Sequence, residues 1–268
     1  MLYRQTAGRL LVAASLITPW SAHAFFPFLT DDTGTQGTGG NQVEIVFEHA
    51  KEHEALLELD DRVIGSQASS INLVPASWTY GVTEDLDLFV GVARQISRPH
   101  GWLNTEVGLK WVFWGDQSQG WSAAIKPAVL APVTTAMQDR GLGNARTNGA
   151  ITLIGSYMAP SYELHLNVNY TGNAASKAAS DDSEKQHIWS VSVAPVYVLN
   201  DHWKAGFDLG LQTNPADTSR LQAVASLGLQ YAASENLQLG FGVLGTSAIN
   251  ASQKSWSYAL TTGLTYQF

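Results

Sequence analysis

Apolar and polar residues alternate with a period of two through most of this chain, and no other feature limits its fold as strongly. From Leu103 to Trp114, residues Leu103, Thr105, Val107, Leu109, Trp111 and Phe113 share one face, while Asn104, Glu106, Gly108 and Lys110 share the other. Tyr162 to Tyr170, Trp203 to Gln212, Leu221 to Tyr231 and Trp256 to Phe268 repeat the pattern. Such alternation predicts strands with one apolar and one polar face. Twelve segments carry it, near 42–50, 70–80, 86–96, 103–114, 121–132, 148–158, 162–170, 186–199, 203–212, 220–232, 237–245 and 255–268. A series of that length points to an all-β, up-and-down antiparallel barrel, because closure removes the unpaired edges an open sheet would leave.

The connections carry the second half of the argument. Gly81–Asp85, Gly115–Gly120, Ala159–Ser161, Asn200–His202 and Ala233–Asn236 are short, whereas 51–69, 133–147 and 171–185 are longer and more polar. Short turns at one end and long loops at the other are the organisation of a transmembrane outer-membrane barrel. Twelve being even, both termini are expected on the short-turn, periplasmic side. Trp78, Tyr80, Trp114, Trp121, Tyr157, Tyr162, Tyr197, Trp203 and Tyr231 flank the short turns. Trp102, Tyr170, Trp189 and Trp256 lie near the long loops, so the aromatics predict two girdles at the membrane–water interfaces.

Residues 1–24 have the pattern of a cleaved secretory signal peptide. Arg4 and Arg9 precede the apolar run Leu10–Thr18, and Ala22 and Ala24 offer small residues before Phe25. Residues 25–41 are then expected as a polar, Gly- and Thr-rich periplasmic leader, with a plug or a periplasmic contact as the alternative for Thr30–Gly37, and 42–268 as the barrel. The terminal Leu264, Tyr266 and Phe268 resemble the signal by which the assembly machinery recognises outer-membrane proteins.

Composition narrows function. The chain is 45% hydrophobic and 14% charged, with a net charge of -8, and it has no basic stripe for nucleic acid. It contains no cysteine, which excludes disulfides and thiolate-ligated zinc. A soluble barrel with the apolar face inward could not pack so many large side chains. With the apolar face toward lipid, the lumen receives Glu106, Lys110, Lys126, Arg146, Glu163, His165, Lys204 and Asp208, together with Glu44, Glu48 and Asp87. Gly206, Gly210, Gly228, Gly240, Gly242 and Gly263 also face inward, where they leave room or let bulky neighbours fold over them.

Several stretches resemble a known family. They are PFLTDDTGTQGTGGNQVEIVFEHA (Pro27–Ala50), SWTYGVTEDLDLFVGV (Ser77–Val92), EVGLKWVFW (Glu106–Trp114) and GLGNARTNG (Gly141–Gly149). Together they resemble the family named for the meta-pathway of phenol degradation, many members of which are labelled outer-membrane transporters. The resemblance runs from about residue 27 to the C-terminus, and TDDTGTQG is its most specific part. It implies an outer-membrane barrel passing small organic molecules, and brings no established site residues.

Other chemistries fit poorly. A calcium loop opening at Asp31 would need Glu at its twelfth position, where Gln42 stands. Barrel lipases place the catalytic pair as His-x-Ser on one strand face. The second residue after His23, His49, His53, His100, His165, His187 and His202 is never serine. No histidine pair shows a convincing ligand spacing on one strand face, so neither a metal nor a cofactor is expected. The sequence therefore predicts a narrow passive channel or transporter for small molecules, aromatic or hydrophobic ones included. Its partners would be outer-membrane lipid, the assembly machinery and a permeant. The rivals are a non-conducting barrel acting through its long loops and, more distantly, a lipid-modifying enzyme.

Overall fold

A computed structural model describes residues 26–59, 62–172, 187–213, 221–249 and 255–268, and within these the side chains of all but 53–59, 62–68 and 255. The expected signal peptide lies outside the described residues. In chain order the elements are β1 (Asn41–Leu59), β2 (Arg62–Thr83), β3 (Leu86–Gln95), β4 (Gly101–Trp102), β5 (Thr105–Gly115), β6 (Gly120–Ala131) and a single-turn α1 (Thr135–Gln138). There follow β7 (Asn148–Met158), β8 (Tyr162–Gly172), β9 (His187–Val198), β10 (Trp203–Thr213), β11 (Leu221–Ala232), β12 (Leu237–Ile249) and β13 (Ser255–Gln267). All pair antiparallel in one sheet. The two-residue β4 is an appendage of β3, and the other twelve strands form the wall. The first long strand pairs with the last, from Gln42↔Gln267 to Glu54↔Ser255, and this pairing closes the barrel.

The pleat sends neighbouring residues to opposite faces, and each strand's composition decides which face meets lipid. On β10, Phe207, Leu209 and Leu211 are exposed outward while Asp208 is buried inward. On β11, Leu227 stands 66% exposed between the inward Ser226 and Gly228. Trp111, Phe113, Val129, Leu153, Phe241 and Leu260 continue the exposed apolar exterior around the barrel. Water would oppose that much contiguous apolar surface, whereas hydrocarbon does not, and the closed sheet satisfies its own backbone groups. No described helix is long and apolar enough to cross a membrane; the strands do so.

Both girdles are present. At the short-turn rim Trp78 stacks near Tyr80, while Trp121 meets Tyr157 and Trp203 meets Tyr231 at a tilt. At the other rim Tyr170 packs on Trp189 at 4.6 Å and Trp256 beside Tyr258. Asn41 and Phe268 exchange backbone hydrogen bonds of 2.9 and 3.0 Å, and Gly39 N–H donates to Gly81 O. The start of the wall, its end and the short turns thus share one rim. Leu264, Tyr266 and Phe268 face outward there, with Tyr266 and Phe268 stacked 5.7 Å apart.

Two expectations are corrected. The segment 51–69, expected as a loop, continues β1 and β2 into a long hairpin, because the ladder runs on to Leu59↔Arg62 through two register shifts. Leu103, expected on the lipid face, is buried with Ile71, Leu73 and Leu142. It precedes β5, where the pleat of that strand no longer sets its direction. Residues 26–36, part of the segment 25–41 expected as a periplasmic leader with a plug as the alternative, lie against inward-facing side chains of the wall.

Candidate functional site: an occupied lumen

The inserted segment is the TDDTGTQGTGG motif with its preceding aromatics, and each residue type has an identifiable task. Its hydroxyls and amides meet inward side chains from successive strands. Thr30 Oγ1 donates to Asp208 and reaches Ser192 Oγ at 2.8 Å; Leu29 N–H donates to Asp208 Oδ2 at 2.7 Å. Thr33 N–H donates to Ser156 Oγ at 3.0 Å, and its hydroxyl lies 2.6 Å from Ser122 Oγ. Thr35 N–H donates to Gln117 Oε1 and Gln36 N–H to Asp87. With its amide oriented by these partners, Asn167 accepts from Asp31 N at 2.6 Å and donates to Asp31 O at 3.0 Å. Backbone that would be costly to bury unpaired is therefore satisfied by the wall.

Charge pairing fastens the centre. Lys126 Nζ lies 2.6 Å from Asp31 Oδ2, with side chains 2% and 5% exposed. Lys110 Nζ lies 3.8 Å from Asp31 and 3.6 Å from Asp32, and donates to Asp32 O. Asp32 Oδ1 accepts from Gly34 N–H at 2.7 Å, an Asx turn that bends the segment locally. Gly37 and Gly39 have φ of 69° and 82°, a region that favours glycine. A Cβ on Gly81 would come 1.8 Å from Gly37 O, so the rim turn into β1 requires glycine on both sides.

The inward glycines seat the aromatics. A Cβ on Gly228 would lie 2.6 Å from the Phe28 ring and 2.7 Å from Pro27; one on Gly240 would lie 2.2 Å from Phe26. Gly206 faces Phe28 and Gly242 faces Pro27 in the same way. Phe28 is 2% exposed. Alternation alone exposed this glycine wall, but its occupant is not adjacent in sequence. Gly263 differs, because its missing Cβ admits the β1 backbone at Ile45 O. Gly228→Val is expected to leave the wall folded, since β-branched residues suit strands. It should expel the two rings at an overpacking cost of about 1–3 kcal/mol. Chymotryptic cleavage at Phe28 should then run about tenfold faster in a barrel that keeps its heat-modifiable migration. Unchanged protection would refute the seating.

The sequence candidates separate into groups. Lys110, Lys126 and Asp208 hold the segment. Glu163 pairs with Lys204 at 2.6 Å within the wall. Glu106 is buried on the inward face of β5. Arg146 is a correction: expected at the lumen, it is exposed in the connection before β7, where no ladder sets its direction. His165 sits opposite Ser156 across β7 and β8, with Oγ 2.9 Å from Nδ1, and its Nε2 lies 3.5 Å from Glu163. The His-x-Ser search on one strand could not find this cross-strand pair. Ser156 Oγ also accepts the Thr33 amide, which ties this pair to the inserted segment. Among the described residues no cluster of His, Asp and Glu has the arrangement to hold a metal.

The lumen is not filled completely. Beside the segment a cavity of about 140 Å³ remains, bounded by Gln42, Glu44, Thr79, Asp87, Gln230 and Gln238 among others. A water's share of the liquid is about 30 Å³, so the cavity is wide enough to hold several waters beside the docked segment.

A closed, lipid-belted wall around a polar interior defines an outer-membrane β-barrel, and solved structures share the fold. An outer membrane channel from Pseudomonas putida F1 superposes with a TM-score of 0.69 at 12% identity, covering 88% of this chain and 98% of that one. The transport unit of the autotransporter AIDA-I from Escherichia coli gives 0.54 at 13% identity, covering 99% and 100%. The NanC porin gives 0.53 at 10% identity, covering 82% and 98%. No curated protein sequence matches the chain. The model of the family described as "Putative MetA-pathway of phenol degradation" matches residues 24–248, and the chain belongs to that family.

Proposed function

We propose that this protein is a passive outer-membrane channel for small molecules, closed at rest by its own residues 26–38. One observation carries the reading: the occluding segment is held by reversible contacts, namely ion pairs and single hydrogen bonds, to side chains of a wall that is complete without it. Withdrawal would leave a lumen whose polar groups water can satisfy. The short-turn rim and both ends of the wall face the periplasm, in keeping with short periplasmic turns and longer outer loops. The terminal Leu264, Tyr266 and Phe268 serve as the assembly signal.

The permeant class follows from what the interior now accommodates. Phe26 and Phe28 rest on glycine, and Leu29 packs with Ala50, Leu244 and Ala259. Carboxylates and hydroxyls lie a few residues away on the same strands. An interior of this kind suits small, largely apolar molecules with one or two polar groups. The description of the family, which names phenol degradation, points the same way.

A covalent lock tests the reading. The chain has no cysteine, and the Thr33 and Ser122 hydroxyl oxygens are 2.6 Å apart, close enough for replacement sulfurs to bond. The T33C/S122C protein is expected to pass a small phenolic solute at least tenfold faster in liposome flux assays when reduced than when oxidised. Equal, measurable flux in both states would mean that solute passes without withdrawal of the segment and would overturn the gating role. No flux in either state, with wild type equally silent, would favour the non-conducting barrel.

A further inference from the structure

The outward face of β3 shows where hydrocarbon ends. Its residues run Leu86, Leu88, Val90 and Val92, and then Arg94. Arg94 is exposed, and its guanidinium carbon lies 5.4 Å from the centre of the Trp102 ring on the paired β4. Trp102 is itself 52% exposed, in the long-loop girdle. The turn between these strands adds exposed Arg98 and His100. A second connection is stitched onto the same turn: Arg140 Nη2 donates to His100 O at 2.7 Å, and buried Leu142 packs where a Cβ of Gly101 would stand.

Two connected loops therefore place Arg94, Arg98 and Arg140 on the same rim just beyond the apolar belt, in a chain whose net charge is -8. No carboxylate occurs in the sequence between Asp87 and Glu106, and the nearest one on the second loop is exposed Asp139. Among the described residues none of the three arginines forms an ion pair with a carboxylate. Arginine's planar fork suits bidentate contact with phosphate, and an interfacial Trp offers a flat apolar surface to the lipid next to it.

We propose that Arg94, Arg98 and Arg140, with Trp102 beside them, bind the phosphorylated sugar headgroup of an outer-leaflet glycolipid of the lipid A type. The polar cluster faces headgroups and the Trp ring faces the first carbons of the acyl chains. A lipid held there would also brace the two loops at the channel mouth. The site rests on the long-loop rim facing the cell exterior, as proposed above. It does not depend on whether the lumen conducts.

The test is native mass spectrometry of the mature protein in micelles with diphosphoryl lipid A. A one-to-one adduct is expected, and R94Q/R98Q/R140Q should weaken it at least tenfold while heat-modifiable migration is kept. Monophosphoryl lipid A should bind several-fold more weakly, and millimolar inorganic phosphate should not displace the lipid. Equal adducts in wild type and triple variant would overturn the site. Displacement by free phosphate, or equal occupancy by phosphatidylglycerol, would overturn the assignment to this glycolipid. Should the triple variant fail to fold, R94Q alone, at an exposed position, must lose at least threefold, and no loss would again overturn the site. Bilayer conductance of the same proteins reads the channel proposal separately, because lipid binding in micelles does not require an open lumen.

Discussion

Asp31→Ala is expected to open the barrel. Asp31 is the partner of Lys126 at 2.6 Å and lies 3.8 Å from Lys110, and all three side chains are at most 10% exposed. Truncating one member of a buried pair leaves the other charge uncompensated, at a cost of about 3–5 kcal/mol. The wall does not contain Asp31, so this cost falls on docking of the segment and not on the barrel. The docked-to-undocked ratio should fall by about 10² to about 4 × 10³, since each 1.4 kcal/mol is a factor of ten. Single-channel recording in planar bilayers should show a rise in open probability and a larger unitary current. The wild-type trace, with the segment docked, is the comparison. An unchanged trace would mean that the hydrogen bonds to Asp208, Ser156 and Ser192 hold the segment without help from charge. Lys110→Leu, which removes the two longer ion pairs, to Asp31 and Asp32, should move the same readout in the same direction by less.

The second large effect falls on the other face of the wall. Leu227 is the most exposed of the large apolar residues described, and its neighbours Ser226 and Gly228 point inward. Placing a guanidinium at Leu227 puts charge into hydrocarbon, at about 2–4 kcal/mol near the midplane. Leu227→Arg should therefore lower the folded, heat-modifiable fraction sharply in reconstituted bilayers. Ser226→Ala, one residue away, should keep the folded yield and lose only a 3.3 Å contact to Asp208. Equal yields for the two variants would contradict the assigned faces.

The same pair of residues illustrates how far the sequence reaches. Which of two adjacent residues meets lipid follows from a strand's period and its composition, both local properties. Lys110, Lys126, Glu163, His165, Lys204 and Asp208 were legible as inward residues for that reason. Arg146 was not, because it lies in a connection where no ladder enforces a pleat. The long β1–β2 hairpin was missed for a related reason. Its polar composition resembles a loop, and strand pairing beyond the membrane tolerates polar residues on both faces. Ser156 and His165 were invisible as a pair because their contact runs across β7 and β8.

By itself the amino-acid sequence determined the all-β class, the twelve-strand wall, its lipid and lumen faces, and the rim that joins the short turns to the ends of the wall. Each depends on spacing within one strand or turn, or on the order of such segments along the chain. Only the tertiary structure decided what occupies the lumen. Lys126 meets Asp31 across 95 positions and Thr30 meets Asp208 across 178. No periodicity relates residues so far apart; closure of the wall brings them together. A Gly- and Thr-rich leader and a plug are alike in composition. They differ in whether a barrel of matching hydroxyls, lysines and glycines surrounds them.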